Sequence, residues 1–126
     1  RSYNRLNGMA DVYYYYVDNF FDFNFETNER EGFEEILENN LGGEKGIGAF
    51  MFDDYEDFKR YFYKTDHHWN YEGSYIGYLD ITRMLGVSNI LEPVGILTNH
   101  DLYYGTGSRL VQNYNSKEEF SYYEFN

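Results

Sequence analysis

The chain has 126 residues, with 22 acidic and 10 basic side chains, a formal charge of −12 and no cysteine. That charge argues against nucleic acid or anionic lipid as the main partner, and the lack of cysteine excludes a disulfide framework, Cys-ligated zinc and thiol catalysis. Aromatics make up 22% of the chain (16 Tyr, 11 Phe, one Trp), whereas disordered acidic chains are poor in them, so a folded core is expected.

Residues Met9 to Val17, with Tyr13 to Tyr16 in a row, form an apolar β-prone run that reads as a buried strand. Asp18 to Glu29 lacks a clear period and reads as a loop. Glu31 to Leu41 has Phe33, Ile36, Leu37 and Leu41 at helical spacing, stopped by Gly42-Gly43. The glycines of Gly42 to Gly48 precede a strand rather than a helix, so they read as a turn and not as a phosphate loop. Ile47 to Phe52 predicts a second strand, and Asp54 to Tyr63 a helix with Tyr55, Phe58, Tyr61 and Phe62 on one face. Thr65 to Asn70 is a polar turn.

A third helix is predicted over Tyr71 to Leu85, with Asn70 as N-cap, Glu72 in the first turn and Gly86 at C′. Its buried stripe is expected to be Tyr75, Tyr78, Leu79, Thr82 and Leu85. After Pro93 the tail looks all-β, with candidate strands at Ile90 to Leu97, Asp101 to Tyr104, Leu110 to Tyr114 and Phe120 to Phe125. Alternation of strands and helices over the first two thirds predicts an α/β architecture with a β-rich C-terminal part. No apolar stretch approaches the length of a membrane span and no signal-peptide pattern is readable at Arg1.

Two of the three histidines lie in Lys64-Thr65-Asp66-His67-His68-Trp69-Asn70, a loop just before a helix. An Asp two residues before a His can accept a hydrogen bond from the imidazole, fix its tautomer and raise the basicity of the other ring nitrogen. Asp66 and His68 are therefore the candidate orienter and general base, with His67 pointing elsewhere in an extended turn. The simpler alternative makes Asp66 a capping or solvated carboxylate and Trp69 a packing residue. His67, His68 and His100 with Asp66 and Asp101 offer metal-ligand types, but no His-x-x-x-His or Glu-x-x-His spacing exists, so no metal is expected.

The string Thr65-Asp66-His67-His68-Trp69-Asn70, followed by Glu72-Gly73-Ser74-Tyr75 at a helix start, resembles the DHHW family. That family is similar to the SGNH-hydrolase-like domains of alginate O-acetyltransferases. The Tyr13 to Val17 strand and the Phe58 to Tyr63 helix fit the same pattern, and the likeness spans roughly Met9 to Leu85. It implies a three-layer, flavodoxin-like α/β domain with a Ser-His-Asp triad. It also implies transfer or hydrolysis of an O-acyl group, often acetyl, on an exported or cell-surface polysaccharide. Asp66 matches the triad acid and His68 the base; Trp69, Asn70 and His67 are candidate binding residues beside them. An acyl donor and a polysaccharide acceptor are the implied partners, and no cofactor is implied.

The nucleophile of such relatives follows a later strand in a short glycine-containing turn, where backbone N–H groups face the oxyanion. Here only Ser108, in Gly105-Thr106-Gly107-Ser108-Arg109, comes near that pattern, and a plain glycine-rich turn explains it better. The expected serine then lies beyond Asn126. Residues 1–126 are accordingly expected to be one SGNH-like domain or its N-terminal portion, inactive alone. Two other readings stand: a non-catalytic glycan-binding or structural surface module, and a metal-dependent phosphoesterase built on Asp66-His67-His68, for which Asp53-Asp54 is the only loose candidate for the further aspartates it needs.

Overall fold

The computed structural model describes residues 9–17, 35–36, 39–40, 46–51 and 54–126. Strand β1 (Tyr14–Val17) pairs in parallel with β2 (Ile47–Phe50), from Tyr14 opposite Ile47 to Val17 opposite Phe50. A parallel pair needs a crossover, and residues 35, 36, 39 and 40 in the intervening chain are helical. The rest of the expected 31–41 helix, and the expected 18–29 loop, lie outside the described residues. The tyrosine strand is half-buried along its length rather than fully buried as expected. Among the described residues this pair has no further strand beside it, and two strands cover few side chains on both faces.

Helix α1 (Tyr55–Tyr61) begins where Asp54 accepts hydrogen bonds from the N–H groups of Glu56 and Asp57. Glu56 and Asp57 in its first turn and Lys59 and Arg60 in its last suit the helix dipole. Its inner face gives Phe58 to a core with Phe50 and Phe62, against which Tyr15, Val17, Tyr61, Trp69 and Ile76 pack. The Phe58 and Phe62 rings stack at 5.1 Å, and Phe50 meets Trp69 edge-on at 6.0 Å.

Helix α2 (Tyr71–Met84) starts as predicted, with the Asn70 side chain accepting from the N–H groups of Glu72 and Gly73. It ends at Gly86, whose φ of 70° suits glycine. Of the expected stripe Thr82 is buried, but it shares the buried face with Gly73 and Gly77 rather than with Tyr75, Tyr78, Leu79 and Leu85. The reason is close packing at the two glycines: Gly73 lies against the Tyr61 carbonyl and the Trp69 Cβ, and Gly77 against the Trp69 indole. A Cβ on Gly77 would sit 2.6 Å from the indole Cζ3. Leu85 is exposed, while Tyr75 and Tyr78 turn toward a cleft rather than the core.

The tail forms an antiparallel pair, β3 (Gly95–Tyr103) with β4 (Glu118–Glu124). The two strands predicted at 90–97 and 101–104 are one strand, whose pairing is irregular between Asn99 and Tyr103. Leu110 to Tyr114 is not a strand. Leu110 ends a short helix, α3 (Thr106–Leu110), and a turn follows with Gln112 at φ 54°. Ser108 thus lies in a helix, not in a β-turn. The described residues form a mixed α/β structure with two separate two-stranded sheets, and no described helix is long and apolar enough to cross a membrane.

Candidate active site

Residues 62–69 form a closed loop between α1 and α2. Phe62 and Trp69 bridge its base, Asn70 N–H donates to the Tyr61 carbonyl at 2.7 Å, and Tyr63 N–H donates to the His68 carbonyl at 3.1 Å. Two distant segments grip this loop. From β4, the Glu118 carboxylate accepts from Lys64 N–H at 3.0 Å, from Thr65 N–H at 2.7 Å and from the Thr65 hydroxyl. From the start of α3, Gly105 N–H donates to Thr65 Oγ1 at 3.1 Å and Ser108 N–H to the Thr65 carbonyl at 3.2 Å. Gly105 is required there, because a Cβ would collide with the Thr65 carbonyl.

On this support Asp66 is buried and its oxygens are divided between two tasks. Oδ2 accepts from Thr106 N–H at 2.8 Å. Oδ1 faces His68 Nδ1 at 2.5 Å and accepts His68 N–H at 3.2 Å. Burial pushes the Asp66 carboxyl up, but the bonds from Thr106 and His68 outweigh it and hold it at about 2, so it is ionised. The sequence-derived pair is therefore brought together, with the His68 side chain two-thirds exposed and lining the cleft. An imidazole bonded to a carboxylate through Nδ1 carries its lone pair on Nε2, the arrangement of a general base.

The other sequence candidates fall differently. His67 does not point elsewhere: its Nδ1 is 3.3 Å from Asp66 Oδ1, and its ring centroid is 4.0 Å from that of His68. The turn is tight enough to gather both imidazoles around one carboxylate. Trp69 packs on the core and also lines the cleft. Asn70 is engaged at both ends of its amide, capping α2 and donating to the Arg60 carbonyl at 2.6 Å. Ser108 is buried, and its hydroxyl donates to the Ser116 carbonyl at 3.1 Å. Among the described residues no serine hydroxyl is hydrogen-bonded to His68. Ser74, which does line the cleft, donates to the Tyr71 carbonyl.

The metal-ligand types assemble only in part. Asp66, His67 and His68 offer ligand atoms within 4.8 Å of one another. His100 stands apart, paired with Glu119 across the β3–β4 sheet at 2.8 Å. Asp54 serves as a helix cap, and Asp53 lies outside the described residues.

The cleft has a volume of about 660 Å³, within the range of small-molecule sites. Asp66 and His68 lie in its lining, with α2 and the β3–β4 pair as its walls. Its aromatic lining was not legible in the sequence, where Tyr75 and Tyr78 looked like core. Tyr75 stacks beside Tyr78 at 5.8 Å and meets Tyr123 at 5.3 Å, while Tyr63 stacks on Phe120 at 5.6 Å. Glu118 and Thr106 were missed as well. They lie 53 and 40 residues from the loop they hold, and no local pattern links them to it.

Comparison with protein-family models, curated proteins and solved structures found no match for this chain.

Proposed function

We propose that the chain supplies the Asp–His portion of an SGNH-like O-acyltransferase or esterase acting on an exported or cell-surface polysaccharide. The observation that carries this reading is the Asp66–His68 hydrogen bond beside an open cleft. The resemblance of residues 65–75 to the DHHW family adds the acyl chemistry, the three-layer domain, the polysaccharide acceptor and the cell-surface location. The nucleophile is a serine outside residues 1–126.

The steps are those of the acyl-transfer reading. The serine hydroxyl attacks the acyl carbonyl while His68 Nε2 takes its proton. The tetrahedral intermediate collapses as His68 returns that proton to the leaving oxygen or sulfur of the donor. A sugar hydroxyl, or water, then attacks the acyl-serine with His68 again as base, and serine is released. Asp66 stays ionised throughout, orienting the ring and stabilising the imidazolium.

Labelling of the whole gene product with a serine-directed fluorophosphonate tests this. Labelling that disappears in His68→Ala supports it, and absence of labelling in the native protein contradicts it. A second reading, a non-catalytic glycan-binding module, is favoured by the lack of a serine bonded to His68 among the described residues. An unlabelled protein that retains a neutral oligosaccharide would establish that module instead. Metal content measured on the same sample separates both from a metal-dependent phosphoesterase built on Asp66, His67 and His68.

A further inference from the structure

The walls of the cleft are aromatic, and most of their polar groups are held by protein partners. The Tyr75 hydroxyl donates to the Leu91 carbonyl at 3.2 Å, the Tyr63 hydroxyl to the Ser121 carbonyl at 3.3 Å, and the Tyr71 hydroxyl to Glu72 at 3.4 Å. The Tyr78 hydroxyl accepts Leu91 N–H at 2.9 Å. The Ser74 hydroxyl donates to the Tyr71 carbonyl, and the Asn70 amide is engaged at both ends. A cleft that binds sugar uses ring faces together with free donors and acceptors for the sugar hydroxyls. Away from Asp66 and His68 this one offers few free polar groups, the Tyr122 and Tyr123 hydroxyls and the Tyr78 O–H, among ring faces whose other polar groups already have protein partners. Burying sugar hydroxyls against them would leave those hydroxyls unsatisfied, at a loss of affinity.

We propose that this cleft receives the hydrocarbon part of the acyl group, a chain longer than acetyl, with the acyl carbonyl at the His68 end. The inference rests on the acyl-transfer reading and names its substrate class. The volume agrees, since an acetyl group would leave most of a cleft of about 660 Å³ filled with water against aromatic rings. The charge agrees too. A chain of formal charge −12 repels a free fatty carboxylate, so the acyl group arrives uncharged at its carbonyl, as an ester or thioester. The acceptor sugar then stays at the mouth, outside the aromatic walls.

Trp69, the only tryptophan, lines the cleft and reports binding through its fluorescence. The chain is titrated separately with octanamide, acetamide and cellotetraose, all uncharged. Each methylene taken out of water tightens binding by roughly fourfold when fully buried, so octanamide is expected to bind at least about 100-fold more tightly than acetamide in this open cleft. Tyr75→Ser is expected to weaken octanamide binding by about threefold or more. Phe125→Ser, an exposed change at the cleft edge that leaves the core intact, should act the same way. Cellotetraose binding as tightly as octanamide overturns the proposal, as does equal or absent binding of the two amides. Failure of the acyl-transfer reading shows separately, as absent fluorophosphonate labelling, which these titrations do not depend on.

Discussion

Glu118 on β4 holds Thr65 by two contacts at once, accepting from its backbone N–H at 2.7 Å and from its hydroxyl. The same carboxylate takes the N–H of Lys64 at 3.0 Å. One side chain from the tail thereby fixes the loop that carries Asp66 and His68. Glu118→Ala removes three charge-assisted bonds and leaves partly buried donors unmatched, at a cost of about 2–4 kcal/mol. Urea denaturation of the two proteins measures it. The loop should also loosen, seen as faster amide exchange at Lys64 and Thr65.

The Asp66 carboxyl gives the acid limb of stability. Its folded pKa of about 2 lies below the ordinary value of 3.8, so the ionised form is favoured in the folded state. The stabilisation is fully present above about pH 4 and is lost as pH falls through about 2. The shift corresponds to about 2 kcal/mol for this nearly buried group. Asp66→Asn should lower stability at neutral pH and flatten the decline between pH 4 and 2. An unchanged acid limb in that variant contradicts the assignment.

Tyr63 acts at the opposite end of the scale. Burial, helped by the nearby Glu118 carboxylate, pushes its hydroxyl up to about 12. Tyr15 and Tyr103 are raised in the same direction, chiefly by burial. A raised pKa means that the neutral phenol is favoured by folding, a contribution present below pH 10 and lost as pH rises through about 12. Ultraviolet titration of phenolate should show these tyrosines ionising late, together with unfolding. Ionisation of all 16 tyrosines in one step near the ordinary value contradicts it.

Gly77 and Gly86 separate two reasons for glycine. At Gly77 a methyl would strike the Trp69 ring, and the overpacking should cost about 1–3 kcal/mol with a shift in tryptophan emission. At Gly86 the space is open and only the φ of 70° opposes alanine, at about 1 kcal/mol and with emission unchanged. Thermal melts and emission spectra of Gly77→Ala and Gly86→Ala test the contrast.

Much of the local structure was legible in the chain. Asn70 caps the helix it precedes because a short side-chain oxygen meets free N–H groups there. Gly86 ends α2 because glycine tolerates a positive φ. Asp66 and His68 come together because their spacing across a tight turn brings ring and carboxylate within reach. Long-range choices were not legible. Whether Tyr75 or Gly77 faces inward depends on Trp69 taking the space above the glycines. The strand expected over 110–114 gave way to α3 and a turn, whose backbone caps Thr65 and Asp66. The inward grip of Glu118 has no local signature, since a glutamate in an alternating strand reads as a solvent-facing residue.

Whether Asp66 orients His68 as a base is tested most directly by nitrogen-resolved NMR of the histidine ring. Neutral His68 is expected to carry its proton on Nδ1, with that proton resonating far downfield and Nε2 bare. Asp66→Asn is expected to move the resonance upfield or abolish it. A neutral His68 protonated on Nε2, with no downfield Nδ1 proton in the native chain, would contradict the account.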